Sequence, residues 1–188
     1  MRVHSILIGI LLAALPLLNP SAAHAEAFGL DISPIVGFDR SQTLLPTPHS
    51  TTRLVYGVQV TAGILLISAE AQYTRGISQE TFDDLSQTDT ADKVKVGIRS
   101  GFRLFSLASF YLRAGVQASQ HRYDQTQGDV TTSSTTAVAY APYGGAGLKA
   151  SLTSKIWANV DVVAVIPNVN NMAQNEYQIM AGFGIHLP

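Results

Sequence analysis

The sequence has 188 residues, 12 Lys and Arg against 13 Asp and Glu, a net charge of −1, and no cysteine. Such a balance excludes the basic surface that nucleic-acid binding needs, and the missing cysteines exclude disulfides and thiolate metal sites. Charged residues make up 13% of the chain, about half the usual share of roughly 25% in soluble domains.

Arg2 precedes an apolar run from Ile6 to Leu18, and Ala23-His24-Ala25 follows as a small-x-small cleavage site. These features predict a signal peptide over 1–25 that is cleaved, so that the mature domain is 26–188 and begins at Glu26. Without Arg2, 11 basic residues face 13 acidic ones, a net charge of −2. After Ala25 no stretch is long and apolar enough for a transmembrane helix. An exported, charge-poor chain of this kind is expected to use strands.

From Phe28 the apolar residues Leu30, Ile32, Val36 and Phe38 recur every second position, with Asp31, Ser33 and Asp39 between them. This period of two predicts a strand with two unlike faces. The pattern returns from Leu54 to Val60, Ile67 to Tyr73, Val94 to Phe102, Phe110 to Ala118, Val138 to Leu148, Ile156 to Ile166 and Tyr177 to Leu187. Eight strands result, and one face of all eight carries no charged residue.

The opposite face mixes Gly and Ala with Asp31, Glu70, Lys93, Lys95, Arg99, Arg103, Arg113, Lys149, Asp161 and Glu176. A soluble, lipocalin-like barrel with an apolar interior would share the alternation. A water-facing surface so rich in Gly and Ala is unusual, however, whereas a narrow polar lumen needs small residues beside a few long ones. The links sort accordingly. Those over 41–52, 76–92, 123–135 and 168–175 are long and polar, and those at 62–63, 105–109 and 151–154 are short. The expected fold class is therefore all-β, an eight-stranded antiparallel up-and-down transmembrane β-barrel in the outer membrane, with turns in the periplasm and loops outside.

Depth follows from this orientation. Tyr56, Tyr73, Tyr140 and Tyr177 form a girdle at the loop end, and Phe28, Phe102, Phe110 and Phe183 one at the turn end. Arg40, Arg75 and Arg122 lie just beyond the outer girdle. Two readings are open for them: guanidinium contacts to lipopolysaccharide phosphates, or solvated strand ends paired with Asp92 or Asp124. Pro34 and Pro142 lack an amide donor and are expected to mark bulges or strand ends.

The chain resembles the small eight-stranded outer-membrane barrel family, the OmpA/OmpX-like group, over essentially the whole mature sequence. Its last strand, from Met180 to Leu187 with Gly182, Ile185 and Leu187 in register, resembles the C-terminal signal read by the barrel-assembly machinery. It departs by Met180, where a polar residue is usual, and by ending in Leu187-Pro188.

Eight strands enclose an interior just wide enough for side chains to fill. A luminal charge network is expected in which Asp31, Glu70 and Asp161 pair with Lys95, Arg99, Arg103 or Arg113, since buried charges need partners. A narrow porin-like path is the alternative. Ser119 and His121, two apart near the outer rim, raise a lipid A acyl-modifying enzyme as a second alternative, but no third residue is evident to orient the histidine. The acidic segment 76–92 lacks an ordered calcium-ligand spacing. No metal, cofactor or catalytic residue is expected. The expected role is structural or surface-interacting, with outer-membrane lipid, lipopolysaccharide and a partner at loops 41–52, 76–92 and 123–135 as contacts.

Overall fold

The structure, a computed structural model, describes residues 29–187 apart from 44–48, 65, 83–84, 169 and 172–173. The expected signal peptide and Phe28 lie outside the described residues. Among the described residues nine strands run in chain order: β1 (Gly29–Thr43), β2 (His49–Gly63), β3 (Ser68–Phe82), β4 (Leu85–Phe105), β5 (Ala108–Gln127), β6 (Val130–Thr135), β7 (Ala139–Ser151), β8 (Ile156–Val165) and β9 (Glu176–Leu187).

Every neighbouring pair is antiparallel, and β4 pairs with β5 so that eight strands close into a ring, with β6 outside it. Closure leaves no sheet edge within the ring, which is what allows strands to cross lipid with every backbone donor and acceptor used. The eight strands are those expected from the alternation. β6 is additional. It pairs with the upper part of β5, from Arg122↔Thr135 to Gln127↔Val130, while the lower part of β5, up to Ser119, pairs with β7. Gly128, at φ 57, makes the tight connection between β5 and β6.

Three segments expected to be loops are thus largely strand. β3 and β4 remain paired as far as Phe82↔Leu85, β4 and β5 as far as Leu85↔Gln127, and β1 and β2 as far as Thr43↔His49. The polar alternation in these segments still satisfies the backbone as a ladder, and it lacks only the apolar face that made the lower strands visible in the sequence. A sheet of β3, β4, β5 and β6 consequently rises beyond the barrel on one side.

Which face points inward is decided on β4. Val96 and Ile98 are 60% and 64% exposed, whereas Lys93 and Lys95 are 1% and 0% exposed. A water-soluble barrel would show the reverse, and a continuous apolar exterior of this kind is stable only in lipid. Tyr56, Tyr73, Tyr140 and Tyr177 are all exposed towards the loop end, as is Phe183 towards the turn end, while Phe102 and Phe110 are half-buried.

Neither proline marks the bulge or strand end expected from sequence. Pro34 sits within an unshifted register against Val58, so no bulge forms there. On the β9 side the ladder skips Ser33 and Pro34, and Ser33 Oγ donates 2.9 Å to the Phe183 carbonyl in place of the missing proline amide. Pro142 lies inside β7, opposite Val116 in an unshifted β5 ladder, and only the β7–β8 ladder begins one residue beyond it, at Tyr143↔Val165. The register irregularity that does occur lies between Arg103 and Phe105, at the turn end of β4.

Candidate functional site

The barrel interior is crossed by a cluster centred on Arg113 of β5. Its Nε donates to Glu70 Oε1 at 2.8 Å, its Nη1 to Asp161 Oδ2 at 3.0 Å, and its Nη2 to Gln72 Oε1 at 2.7 Å. Tyr143 donates to Glu70 at 2.6 Å and Tyr111 to Asp161 at 3.1 Å. Both carboxylates are therefore held by one guanidinium and one phenol each, a dense arrangement of charge-assisted bonds.

Small residues make the crossing possible. A Cβ at Gly97 would stand 2.4 Å from the Tyr143 hydroxyl, and one at Gly115 would stand 2.9 Å from its ring. Tyr143 reaches Glu70 from β7 only because β4 and β5 present bare backbone beneath its ring.

A second cluster lies nearer the loop end. Lys93 bonds Asp39, and it also approaches Glu176 at 2.6 Å. Lys95 donates to Gln178 at 2.5 Å, and Gln178 donates to Gln117 at 3.3 Å. Above it, Arg53 meets Asp89 at 3.0 Å and His121 Nδ1 meets the same carboxylate at 3.1 Å. Asp89, read as part of an acidic loop, thus points back into the barrel.

Of the luminal residues expected from sequence, Glu70, Arg113 and Asp161 are brought together. Asp31 instead meets Lys149 at 2.6 Å and His186 at 2.8 Å near the turn end. Lys95 has an amide partner rather than a carboxylate, and Arg99 lies over the Tyr111 ring, 3.3 Å from its centroid. Arg103 is exposed at the turn end, because the ladder irregularity beside it ends the regular alternation of β4. The expected network left out Asp39, Arg53, Asp89, Lys93, Lys149, Glu176 and His186, all of which form ion pairs here. Asp39 and His186 share the parity of the other luminal residues, whereas Arg53 stands between the link 41–52 and the strand expected from Leu54, and Asp89 falls in the segment 76–92 taken as a loop.

The three outer arginines have near neighbours. Arg75 grips Asp92 through Nε and Nη2, both at 2.8 Å, and Tyr73 donates to the same carboxylate at 2.6 Å. Arg122 donates to Asp124 at 3.3 Å, and Arg40 to Ser50 at 3.4 Å. Arg75 and Arg122 line one groove on the outer surface together with Tyr56, Thr90, Asp92 and Asp124, and Arg40 is not part of it. Asp124, in the β5–β6 hairpin, is held below the ordinary carboxylate range by the Ser133 hydroxyl first and by Arg122 second.

His121 does have an orienting carboxylate, Asp89, contrary to the reading from sequence. Among the described residues its ring bonds that carboxylate and not Ser119, so no nucleophile–base pair is formed. No group of three potential metal ligands occurs among the described residues.

The family model for the outer membrane protein beta-barrel domain matches residues 10–184. The chain belongs to this family of outer-membrane β-barrels. Membership places it in the outer membrane, as the apolar exterior requires. No curated protein sequence matches the chain. Among solved structures, this barrel is similar to neisserial surface protein A, with a TM-score of 0.58, 14% identity, and coverage of 84% of this chain and 96% of that one. It is also similar to Ail, the attachment invasion locus protein of Yersinia pestis, with a TM-score of 0.57, 11% identity, and 84% and 99% coverage. OprG of Pseudomonas aeruginosa gives 0.57, 12% identity, and 86% and 96% coverage. At these identities the likeness is one of fold.

Proposed function

We propose that this barrel is a surface-exposed structural or interaction protein with a side-chain-filled lumen, exported by its N-terminal segment, and is neither a solute pore nor an enzyme. The observation that carries the reading is the Glu70–Arg113–Asp161 crossing, in which all three side chains have at most 1% exposure. Opening a solute path would separate charges that are costly to leave unpaired away from water. Outside, β6 is exposed along its whole length, with the polar sequence VTTSST, and offers a contact surface for an extracellular partner.

The groove holding Arg75 and Arg122 supports lipopolysaccharide as the lipid-side partner, with Arg40 contributing from β1. Pairing of Arg75 with Asp92 does not oppose this role, because a guanidinium can keep one carboxylate and accept a phosphate on its remaining donors. Assembly by the barrel-assembly machinery through the last strand belongs to the same reading.

Planar-bilayer recording with purified, folded protein tests the closed lumen. Absence of steady conductance is expected, and a solute-permeable channel would overturn it. Replacing Arg40, Arg75 and Arg122 together with Gln should weaken lipopolysaccharide association, and unchanged association would remove that partner. Lipid A acylation that depended on His121 would instead establish the enzyme.

A further inference from the structure

On β4 the lipid-facing Val96 and Val94 are followed, at the same parity, by Asp92, Thr90, Thr88 and Ser86, with no break in the strand. Alternate residues of a strand share a face, so one continuous face runs from the bilayer to the far end of the protruding sheet. A lipid whose acyl chains pack against Val94 and Val96 therefore has its headgroup against the residues above them. From Asp92 to Ser86 this face extends about 20 Å along the strand.

Register sets what the headgroup meets. Thr90, Thr88 and Ser86 of β4 stand opposite Arg122, Asp124 and Thr126 of β5. Those in turn stand opposite Thr135, Ser133 and Thr131 of β6. Hydroxyl residues thus flank β5 on both sides, in rows that repeat with the strand spacing of about 4.8 Å. Among the described residues, Ser86, Thr88, Thr90 and Thr135 use their hydroxyls in no side-chain hydrogen bond.

The charges on this face cancel. Arg75 is paired with Asp92 and Arg122 with Asp124, and among its described residues the face carries no other ionised group. Its one large apolar side chain among the described residues above the tyrosine girdle is Ile77. A protein partner is usually held by a few buried aromatic or apolar anchors, and this face offers no cluster of them. An uncharged sugar fits better, because it brings many hydroxyls, each a donor and an acceptor, and asks for no net charge.

We propose that the outward face of β3–β6 above the girdle binds uncharged sugars of the lipopolysaccharide oligosaccharide. The inference rests on the reading that gives the phosphates of the same molecule to Arg75 and Arg122. Single hydrogen bonds that replace bonds to water contribute little, so the affinity comes from several hydroxyls engaged in register.

Full-length mature protein, folded in uncharged lauryl maltoside micelles, is titrated calorimetrically with core-bearing lipopolysaccharide and separately with lipid A, which lacks the core sugars. Core-bearing lipopolysaccharide should bind about tenfold tighter, the yield of a few net hydrogen bonds. That advantage should persist at about 1 M sodium chloride, where the screening length falls to about 3 Å and contacts to core phosphates are weakened. Its loss there overturns the assignment to uncharged sugars. The double variant Ser86→Ala/Thr88→Val, verified as folded by its heat-modifiable gel band, should remove most of the advantage and leave lipid A binding unchanged. A retained advantage overturns the proposal. Should that variant not fold, the wild-type comparison decides alone, because equal affinity for the two ligands also overturns it. Equal affinity would leave the phosphate reading standing and the face free for a protein, whereas no binding of either ligand would remove both readings.

Discussion

The Glu70 carboxylate on β3 and the Arg113 guanidinium on β5 meet 2.8 Å apart inside the barrel, with both side chains fully buried. The strand between them, β4, contributes Gly97 at this level. Two residues 43 positions apart in the chain are thereby coupled through a gap left by a missing side chain.

Removing the cation from this cluster leaves two buried carboxylates facing each other without compensation. Arg113→Met is expected to destabilise the folded barrel by about 3–5 kcal/mol. The urea midpoint of refolding into detergent micelles or vesicles, followed by heat-modifiable gel mobility, measures it. A change below about 1 kcal/mol would mean that Glu70 and Asp161 are satisfied by Tyr143, Tyr111 and protons instead.

The exterior makes a different demand. Val96 is 60% exposed on the lipid face of β4, between the buried Lys95 and the half-buried Gly97. Val96→Arg should cost about 2–4 kcal/mol in lipid vesicles if it lies near the bilayer midplane, and much less in detergent, where the micelle adapts. An equal effect in both media would contradict the assigned orientation.

Gly184 lies under the indole of Trp157, and a Cβ there would fall 2.0 Å from the Trp157 ring. Gly184→Ala must therefore displace the ring, at a cost of about 1–3 kcal/mol from overpacking. Because Trp157 is the single tryptophan, its emission should shift with the substitution. Unchanged emission and stability would place the indole elsewhere.

At the outer rim the effects are small. Arg75 and Asp92 are 45% and 36% exposed, so the pair contributes less than about 1 kcal/mol despite its two-pronged geometry. Arg75→Gln should accordingly leave the urea midpoint nearly unchanged, which makes it a clean variant for lipid-binding measurements.

In the β5–β6 hairpin, Asp124 should titrate below the ordinary aspartate value of 3.8, because the Ser133 hydroxyl and Arg122 favour its charged form. A lowered folded pKa stabilises the hairpin above the ordinary value, and that contribution is lost as pH falls through the folded pKa. Carboxyl-carbon NMR of Asp124 reads the midpoint directly. Ser133→Ala should move it upward, and an unmoved midpoint would show that the hydroxyl is not the cause.

The amino-acid sequence by itself determined the strands that cross the membrane, their number and the opposite character of their faces. Period-two patterning is local: Val94, Val96 and Ile98 declare one face and Lys93, Lys95 and Arg99 the other without reference to any other strand. Link lengths also oriented the barrel, although their polar alternation concealed that 76–92 and 123–135 continue as strand. Only the tertiary structure decided who meets whom inside. Asp31 finds Lys149 and His186, Asp89 returns to Arg53 and His121, and Arg99 stacks on Tyr111. Such encounters depend on ring closure and on strand register, which bring side chains from several strands together across the lumen. Parity places a charge inside the barrel, but it does not set the height and direction at which that charge meets another.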